Sequence, residues 1–166
     1  MSERTFRRVV VTGRLDDAAA SRAAAEILTL DAAGDAPIEL VVDSGDGTLE
    51  AAFTLIDAME AARAPIRALC RGQVGGPAIA VVAAAQHRRA LPHTRFRLSA
   101  PVVRLSGTPA HLVAESQAQR ALLWRLQGRL ARVTGRAPED IADDMRRGRY
   151  LDAREALDYR LIDAVG

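Results

Sequence analysis

Residues 66–85 read IRALCRGQVGGPAIAVVAAA, and this stretch decides the fold. From Ile66 to Arg71 the side chains alternate as in a β-strand, with Cys70 on the inward face. Gly75-Gly76-Pro77 then opens a short helix, Ala78 to Ala85, which carries no charged residue and is therefore expected to be buried. A strand that leads through a glycine-rich turn into a buried helix favours an α/β fold.

The segments before this stretch repeat the alternation of strand and helix. Arg8 to Thr12 is predicted to be a strand, followed by a helix from Asp16-Asp17 to about Leu30, because aspartates suit a helix N-terminus. Ile38 to Asp43 is a second strand, apolar enough to be buried on both faces. Thr48 to Met59 follows as a helix with one apolar face.

Shorter elements are predicted after the buried helix. Arg88 to Leu91 and Arg95 to Leu98 are expected to be strands on either side of a turn at Pro92-His93. Two short helices are expected to begin near Pro138 and near Asp152. The apolar pair Leu161-Ile162 follows them at the end of the chain.

The longest helix is predicted from Pro109 to Val133. Its apolar stripe consists of Leu112, Leu122, Leu123, Leu126, Leu130 and Val133. A long amphipathic helix in a small domain often serves a partner surface as well as its own core.

Composition excludes several classes of protein. The 166 residues fit one domain. All 23 basic residues are arginine, which excludes Schiff-base chemistry and a P-loop lysine. A net charge of +2 and 4% aromatic residues argue against a nucleic-acid binder. The sequence shows no signal peptide and no membrane-spanning run, so a cytoplasmic protein is expected. No cofactor is expected. Cys70 is predicted to be a small buried hydrophobe.

Several short motifs spread along the chain follow the pattern of one family. They are Asp57-Ala58-Met59, Gly72-Gln73, Leu91-Pro92, Arg95, Pro101, and the C-terminal series Thr134-Gly135, Glu139, Ile141, Asp144, Arg147, Tyr150-Leu151, Ala153, Glu155-Ala156, Tyr159 and Leu161-Ile162-Asp163. With these motifs the chain resembles the proteolytic subunit of the Clp protease, ClpP, which belongs to a wider group with the crotonases. The resemblance implies an α/β spiral of ββα units with a protruding handle on the long helix. It also implies a single domain over residues 1–166 that lacks the family's N-terminal axial segment.

The resemblance implies a serine peptidase site, but the catalytic residue types are missing. The family's nucleophile belongs to a Gly-Gln-Ala-Ala-Ser-Met-Gly segment, in which Gly76 takes the place of the serine. Ser99 stands where the family has its histidine, and Gly148 stands where it has its aspartate. All three members of the expected Ser-His-Asp triad are therefore replaced.

The oxyanion region implied by the resemblance is altered as well. The family's Ser-Pro-Gly-Gly turn is here Ser44-Gly45-Asp46-Gly47, which places a carboxylate at Asp46, beside Gly47. The residue after the former serine is Pro77, which has no N–H to donate. We expect an impaired oxyanion hole, in which Asp46 opposes the developing negative charge.

These replacements predict a catalytically inactive Clp-protease-like subunit with an assembly, regulatory or scaffold role. One alternative is an enzyme with relocated chemistry that uses His93 or Ser99. Another is a small-ligand or acyl binder that uses the vacated pocket between Gly76, Ser99 and Gly148. No metal site is expected, because the histidines lack metal-ligand spacing.

The resemblance also implies ring oligomers of this chain alone or with other Clp-type subunits. The expected contacts are Leu122, Leu126 and Leu130 on the long helix, and Arg147 beside the former acid position. Contact with an unfoldase is not expected, because the family makes it through the axial segment. Neither a nucleic acid nor a membrane is an expected partner.

Overall fold

The computed structural model describes residues 7–166, which alternate between strands and helices. In chain order the elements are β1 (Arg8–Thr12), α1 (Asp17–Ala32), β2 (Ile38–Ser44), α2 (Leu49–Ala61), β3 (Ile66–Gly75), α3 (Ala78–Ala84), β4 (His87–Ala90), β5 (Arg95–Leu98), α4 (Pro109–Thr134), α5 (Pro138–Arg147), β6 (Arg149–Asp152), α6 (Ala153–Asp158) and β7 (Ala164–Val165). The predicted α/β fold class is confirmed.

One mainly parallel sheet organises the fold, with strand order β1-β2-β3-β4-β7. β3 lies at its centre and changes neighbours along its length. Its first half pairs with β2 and β4, whereas Gln73 to Gly75 pair in parallel with β5. β6 then pairs antiparallel with β5. The end of β3 therefore lies beside β5 and close to the start of β6.

β3 continues four residues beyond its predicted end at Arg71. The register with β2 shifts between Val42 and Ser44, and Gly72 lies opposite this irregularity with a φ of 61°. This left-handed φ favours glycine, and a Cβ atom at Gly72 would also lie 2.5 Å from Oδ1 of Asp43, so the Asp43 side chain would have to move. The strand therefore passes through the glycine instead of ending before it.

Side chains predicted to begin helices do so. Asp16 caps α1 by accepting a hydrogen bond from the Ala19 amide, and Thr48 caps α2 in the same way. α3 is buried between other elements, as its uncharged sequence predicted. Cys70 is fully buried, and burial raises the pKa of its thiol to about 12, with Arg88 opposing the shift. The prediction that Cys70 is a small buried residue is confirmed.

The long helix α4 is only partly packed against the domain. Its buried residues, Leu126, Leu130, Ala131 and Thr134, all lie in its C-terminal half, so the N-terminal half projects as the predicted handle. Leu126 and Leu130 are 0% and 1% exposed. They belong to this chain's own core, so their prediction as contacts between subunits is wrong. Leu122 is half-buried and Arg147 is exposed.

Two strands were not predicted. β6 has one buried side chain, Leu151, and β7 has two residues. Neither carries an apolar pattern long enough to be recognised. In addition, the predicted strands β4 and β5 do not form a hairpin, because each pairs in parallel with β3.

Asp163 attaches the C-terminal segment to β4. Its Oδ2 accepts a hydrogen bond from the Arg88 amide at 2.8 Å, and its Oδ1 accepts one from Nη2 of Arg88, also at 2.8 Å. The hydrogen bond from the Arg88 side chain holds the pKa of Asp163 below its ordinary value. The stabilisation is therefore present above the unfolded-state pKa of about 3.9 and is lost as the pH falls through the lower folded-state pKa.

We expect Asp163→Asn to lower the free energy of unfolding at pH 6 by about 1 kcal/mol or less, because the carboxylate is 34% exposed. The difference from the wild type should shrink as the pH falls below about 4. Urea unfolding at several pH values measures it, with the exposed Asp158→Asn as the matched control. A difference that grows in acid would contradict this account.

Candidate functional site

The three candidate triad positions lie at one end of the sheet. Gly75 is in register with Arg97, and Arg97 in turn with Tyr150. The Gly76 amide donates a hydrogen bond to the Arg97 carbonyl at 3.4 Å. Gly76 after β3, Ser99 after β5 and Gly148 before β6 are thus brought to the same region.

Gly76 is buried and has a φ of 56°. A Cβ atom here would have no neighbour closer than 3.9 Å, the Asp46 Cα. The position therefore has space for a small side chain, although the left-handed backbone favours glycine. Pro77 follows at the start of α3 and is also buried.

We expect Gly76→Ala to cost about 1–2 kcal/mol, because the strain is conformational and no atom obstructs the new methyl group. Guanidinium unfolding measures the loss. Gly13→Ala is the matched control, since Gly13 also has a positive φ, 75°, and has nothing within 4 Å of the added atom. Equal losses at both positions are expected, and a loss confined to Gly76→Ala would reveal a steric clash that the structure does not contain.

The loop before α2 is held by backbone hydrogen bonds. The Asp46 carbonyl accepts from the Leu15 amide at 2.9 Å and from the Ser44 hydroxyl at 3.1 Å. The side-chain carboxylate of Asp46 is exposed and pairs with Arg14. Arg14 therefore lies beside the carboxylate that is expected to impair the oxyanion hole, and the effect of Asp46 on that hole stays a prediction. Pro77 has no backbone N–H, so this hydrogen-bond donor of the expected oxyanion hole is missing.

A guanidinium stands beside the former acid position. Gly148 ends α5 with a φ of 63°, and a Cβ atom there would lie 3.1 Å from Nη2 of Arg97 and 3.4 Å from its Nε. Arg97 is not among the residues that the sequence motifs identify. The alternation of β5 could have identified it, since Phe96 and Leu98 are buried and Arg97 between them is exposed.

The carboxylate on the preceding turn of α5 is already engaged. Asp144 accepts a hydrogen bond from the Tyr159 hydroxyl at 2.7 Å and pairs with Arg149 at 3.2 Å. Burial, followed by this hydrogen bond, raises the pKa of Tyr159 well above its ordinary value. Asp144 therefore fixes the α5–β6 connection.

The residues proposed for relocated chemistry are not brought together. His93 lies in the exposed turn before β5, and Ser99 follows the other end of that strand. From Arg95 to Ser99 an extended chain spans roughly 13 Å, at about 3.3 Å per residue. His93 is therefore out of hydrogen-bonding reach of the Ser99 hydroxyl.

Two cavities of the described residues lie away from the three positions. One, of about 490 Å³, is lined by Phe53, Asp57, Trp124, Arg125, Gly128, Arg129 and Arg132. The other, of about 360 Å³, lies between the start of α2 and residues 101–105. Neither has Gly76, Ser99 or Gly148 in its lining.

Within residues 7–166, histidine, cysteine and carboxylate side chains do not form a group of three that could hold a metal ion. In the same part of the chain, no helix combines the length and the apolar character needed to cross a membrane.

A parallel sheet whose central strand turns through Gly75-Gly76 into a buried helix, with the long helix projecting as a handle, defines an α/β protein of the ClpP/crotonase class. A family model described as Clp protease matches residues 3–166. The chain belongs to the Clp protease family, which confirms the resemblance found in the sequence.

Three relatives illustrate the similarity. The chain is 32% identical over 160 residues to the ATP-dependent Clp protease proteolytic subunit of Paracoccus denitrificans, which covers 95% of this chain and 80% of that protein. It is 29% identical over 170 residues to proteolytic subunit 3 of Rhodococcus jostii, covering 99% and 84% of the two chains. A proteolytic subunit-like protein of Streptomyces coelicolor is 35% identical over 164 residues, covering 95% and 78%.

Proposed function

We propose that this chain is a catalytically inactive subunit of the Clp protease type, which acts through assembly or regulation. The observation that carries the proposal is the pair Gly76-Pro77 at the turn between β3 and α3. Gly76 offers no nucleophile at the position that matches the family's serine, and Pro77 has no N–H for an oxyanion hole.

The surroundings of Gly76 support the same proposal. Ser99 has no imidazole that could accept a proton, and Gly148 has no carboxylate that could orient an imidazole. The guanidinium of Arg97 lies beside Gly148, where a triad would need a negative charge. The local electrostatics are therefore opposite in sign to those of a Ser-His-Asp site.

Exposed apolar side chains support the assembly role. Many of the large exposed apolar side chains lie on α4 or on the segment before it: Val102, Val103, Leu105, Val113 and Trp124. Trp124 is 72% exposed and Val102 is 85% exposed. A concentration of exposed apolar side chains on one helix and the segment before it favours an interaction surface there. The relatives are named as subunits, which agrees with such a surface.

Light scattering tests the assembly role, with the chain alone and with a co-expressed Clp proteolytic subunit that keeps its serine. We expect an oligomer in at least one of the two conditions. A stable monomer in both would contradict the assembly role.

We expect Trp124→Gln to weaken that assembly at least tenfold in dissociation constant, because exposed tryptophans commonly dominate interfaces. Leu28→Gln is the matched control, since Leu28 is 55% exposed but lies on α1. Sedimentation over a concentration series measures both. An equal effect of the two substitutions would contradict an interface centred on α4.

A further inference from the structure

We infer that the groove between α2 and α4 is a binding site for an aromatic phosphate of the nucleoside monophosphate type. The groove is the cavity of about 490 Å³ whose lining includes Phe53, Trp124, Gly128 and Arg132. The inference goes beyond the proposed function and does not rest on it, because none of these residues lies at a triad position.

The groove follows the axes of two parallel helices. The Gln119 side chain of α4 donates a hydrogen bond to Glu50 of α2, and Arg129 of α4 pairs with Glu60 of α2 at 2.7 Å. Each contact joins residues that are 69 positions apart in the chain. The two helices therefore run in the same direction and keep one register between these contacts, which gives the groove two distinct ends.

Aromatic side chains line the N-terminal end of the groove. Trp124 is 72% exposed, and Phe53 is half-buried with its inner side packed against the core. An exposed indole face is a stacking surface for a planar ring, and nucleobases stack on it whatever their sequence of polar groups. A ligand ring therefore fits this end.

Gly128 keeps the middle of the groove open. It lies four residues from Trp124 and four from Arg132, so the three positions follow one another along the same side of α4. A Cβ atom at Gly128 would have nothing within 4 Å. A glycine inside a helix lowers stability relative to alanine, and close packing does not require it here. The space that it leaves connects the aromatic end of the groove with Arg132.

Three arginines line the groove beside this space. Arg125, Arg129 and Arg132 are separated by four and three residues, so they form one row along α4. Glu60 neutralises Arg129, whereas within residues 7–166 no carboxylate forms an ion pair with Arg125 or Arg132. A phosphate monoester carries a charge of about −1.5 to −2 at neutral pH. Two guanidinium groups without a partner match this charge better than they match a single carboxylate.

Asp57 determines which way the ligand lies. It follows Phe53 by one turn of α2 and is exposed, and it has no hydrogen bond or ion pair among the described residues. The amino group of a nucleobase would donate to this carboxylate, whereas a phosphate would be repelled by it. The base is therefore expected beside Phe53 and Trp124, with the phosphate toward Arg132.

The titration follows the fluorescence of Trp124, the only tryptophan of the chain, with adenosine monophosphate as the probe at constant ionic strength. We expect saturable quenching with a dissociation constant on the order of 0.1–1 mM, as suits an open groove. Adenosine should bind at least tenfold more weakly, because it lacks the phosphate. Inorganic phosphate, which has no ring, should leave the fluorescence unchanged. Absence of saturation by the monophosphate, equal binding of adenosine, or quenching by inorganic phosphate would overturn the inference.

Two substitutions test the two ends of the ligand separately. Arg132→Gln should weaken binding of the monophosphate at least tenfold and leave that of adenosine unchanged. Gly128→Leu should fill the groove and weaken binding of both compounds at least tenfold. Arg22→Gln, an exposed change on α1, is the matched control and should have no effect. Circular dichroism verifies that the variants are folded. Unchanged binding of the monophosphate in folded Arg132→Gln or in folded Gly128→Leu would overturn the site.

A second probe identifies the source of the aromatic phosphate. Naphthyl phosphate has a ring and a phosphate but no amino group. Weaker binding than that of adenosine monophosphate indicates a nucleotide whose base contacts Asp57, and equal binding indicates any aryl phosphate; both support the site.

Trp124 also belongs to the surface proposed for assembly, so light scattering accompanies each titration, with and without the co-expressed subunit. A protein that binds the monophosphate but stays monomeric in both conditions would support the site and contradict only the assembly role. An oligomer that does not bind it would overturn only the site.

Discussion

The purified protein is expected to hydrolyse casein and short peptides no faster than buffer, and Gly76→Ser is expected to leave it inactive. Loss of the nucleophile or of the base of a serine triad each costs on the order of 10⁶-fold in kcat, about as much as loss of the whole triad. A serine at position 76 would still lack a base, because the matching position is Ser99, and Pro77 would still donate no hydrogen bond.

Folding has to be verified for this test, because Gly76 has a left-handed backbone. Circular dichroism melts of Gly76→Ser and Gly76→Ala should agree with each other, so that inactivity cannot be assigned to unfolding. Hydrolysis by the wild type that Gly76→Ala leaves unchanged would reveal chemistry elsewhere in the molecule. Hydrolysis gained by Gly76→Ser would show that a base and an oxyanion hole are present after all.

Gly47→Ala is expected to have the largest effect on stability, a loss of about 4 kcal/mol or a failure to fold. A Cβ atom at Gly47 would lie 2.4 Å from the Leu15 carbonyl oxygen and 2.8 Å from its Cβ. The obstacle is backbone, which cannot rotate away as the end of a side chain can. The clash would separate the loop before α2 from Leu15, whose carbonyl also accepts from the Thr48 amide at 3.0 Å.

Gly128→Ala is the matched control for this change. Gly128 lies inside α4 and has nothing within 4 Å of the added atom, so alanine should stabilise the helix by about 0.5–1 kcal/mol. Differential scanning calorimetry should show a lower Tm for Gly47→Ala and a Tm raised by roughly 2–4 °C for Gly128→Ala. A Gly47→Ala protein as stable as the wild type would contradict the close approach of the loop to Leu15.

The central elements of the fold could be predicted because their sequence patterns reflect burial directly. The apolar runs of β2 and the uncharged sequence of α3 have one reasonable environment, the interior of an α/β sandwich. β6 could not be predicted in this way, since one of its four side chains is buried and its strand character comes from pairing with β5. The extension of β3 past Arg71 was missed because Gly72 has the appearance of a loop residue, although it accommodates the Asp43 side chain.

The candidate site, like the fold, has features that the sequence predicts and features that depend on contacts between distant residues. The replacements at Gly76, Ser99 and Gly148 are visible in the sequence, because each is a change of residue type. What surrounds them is not visible there. The ion pair between Asp46 and Arg14 joins residues far apart in the chain, and the approach of Arg97 to Gly148 depends on the pairing of β5 with β6.

The most direct test of the inactive site is labelling with a fluorophosphonate, which reacts with activated serines, followed by intact-protein mass spectrometry. The account predicts an unmodified mass for the wild type after an incubation that fully labels an active serine peptidase. Stoichiometric addition of one label, at Ser99 or at any other serine, would contradict it.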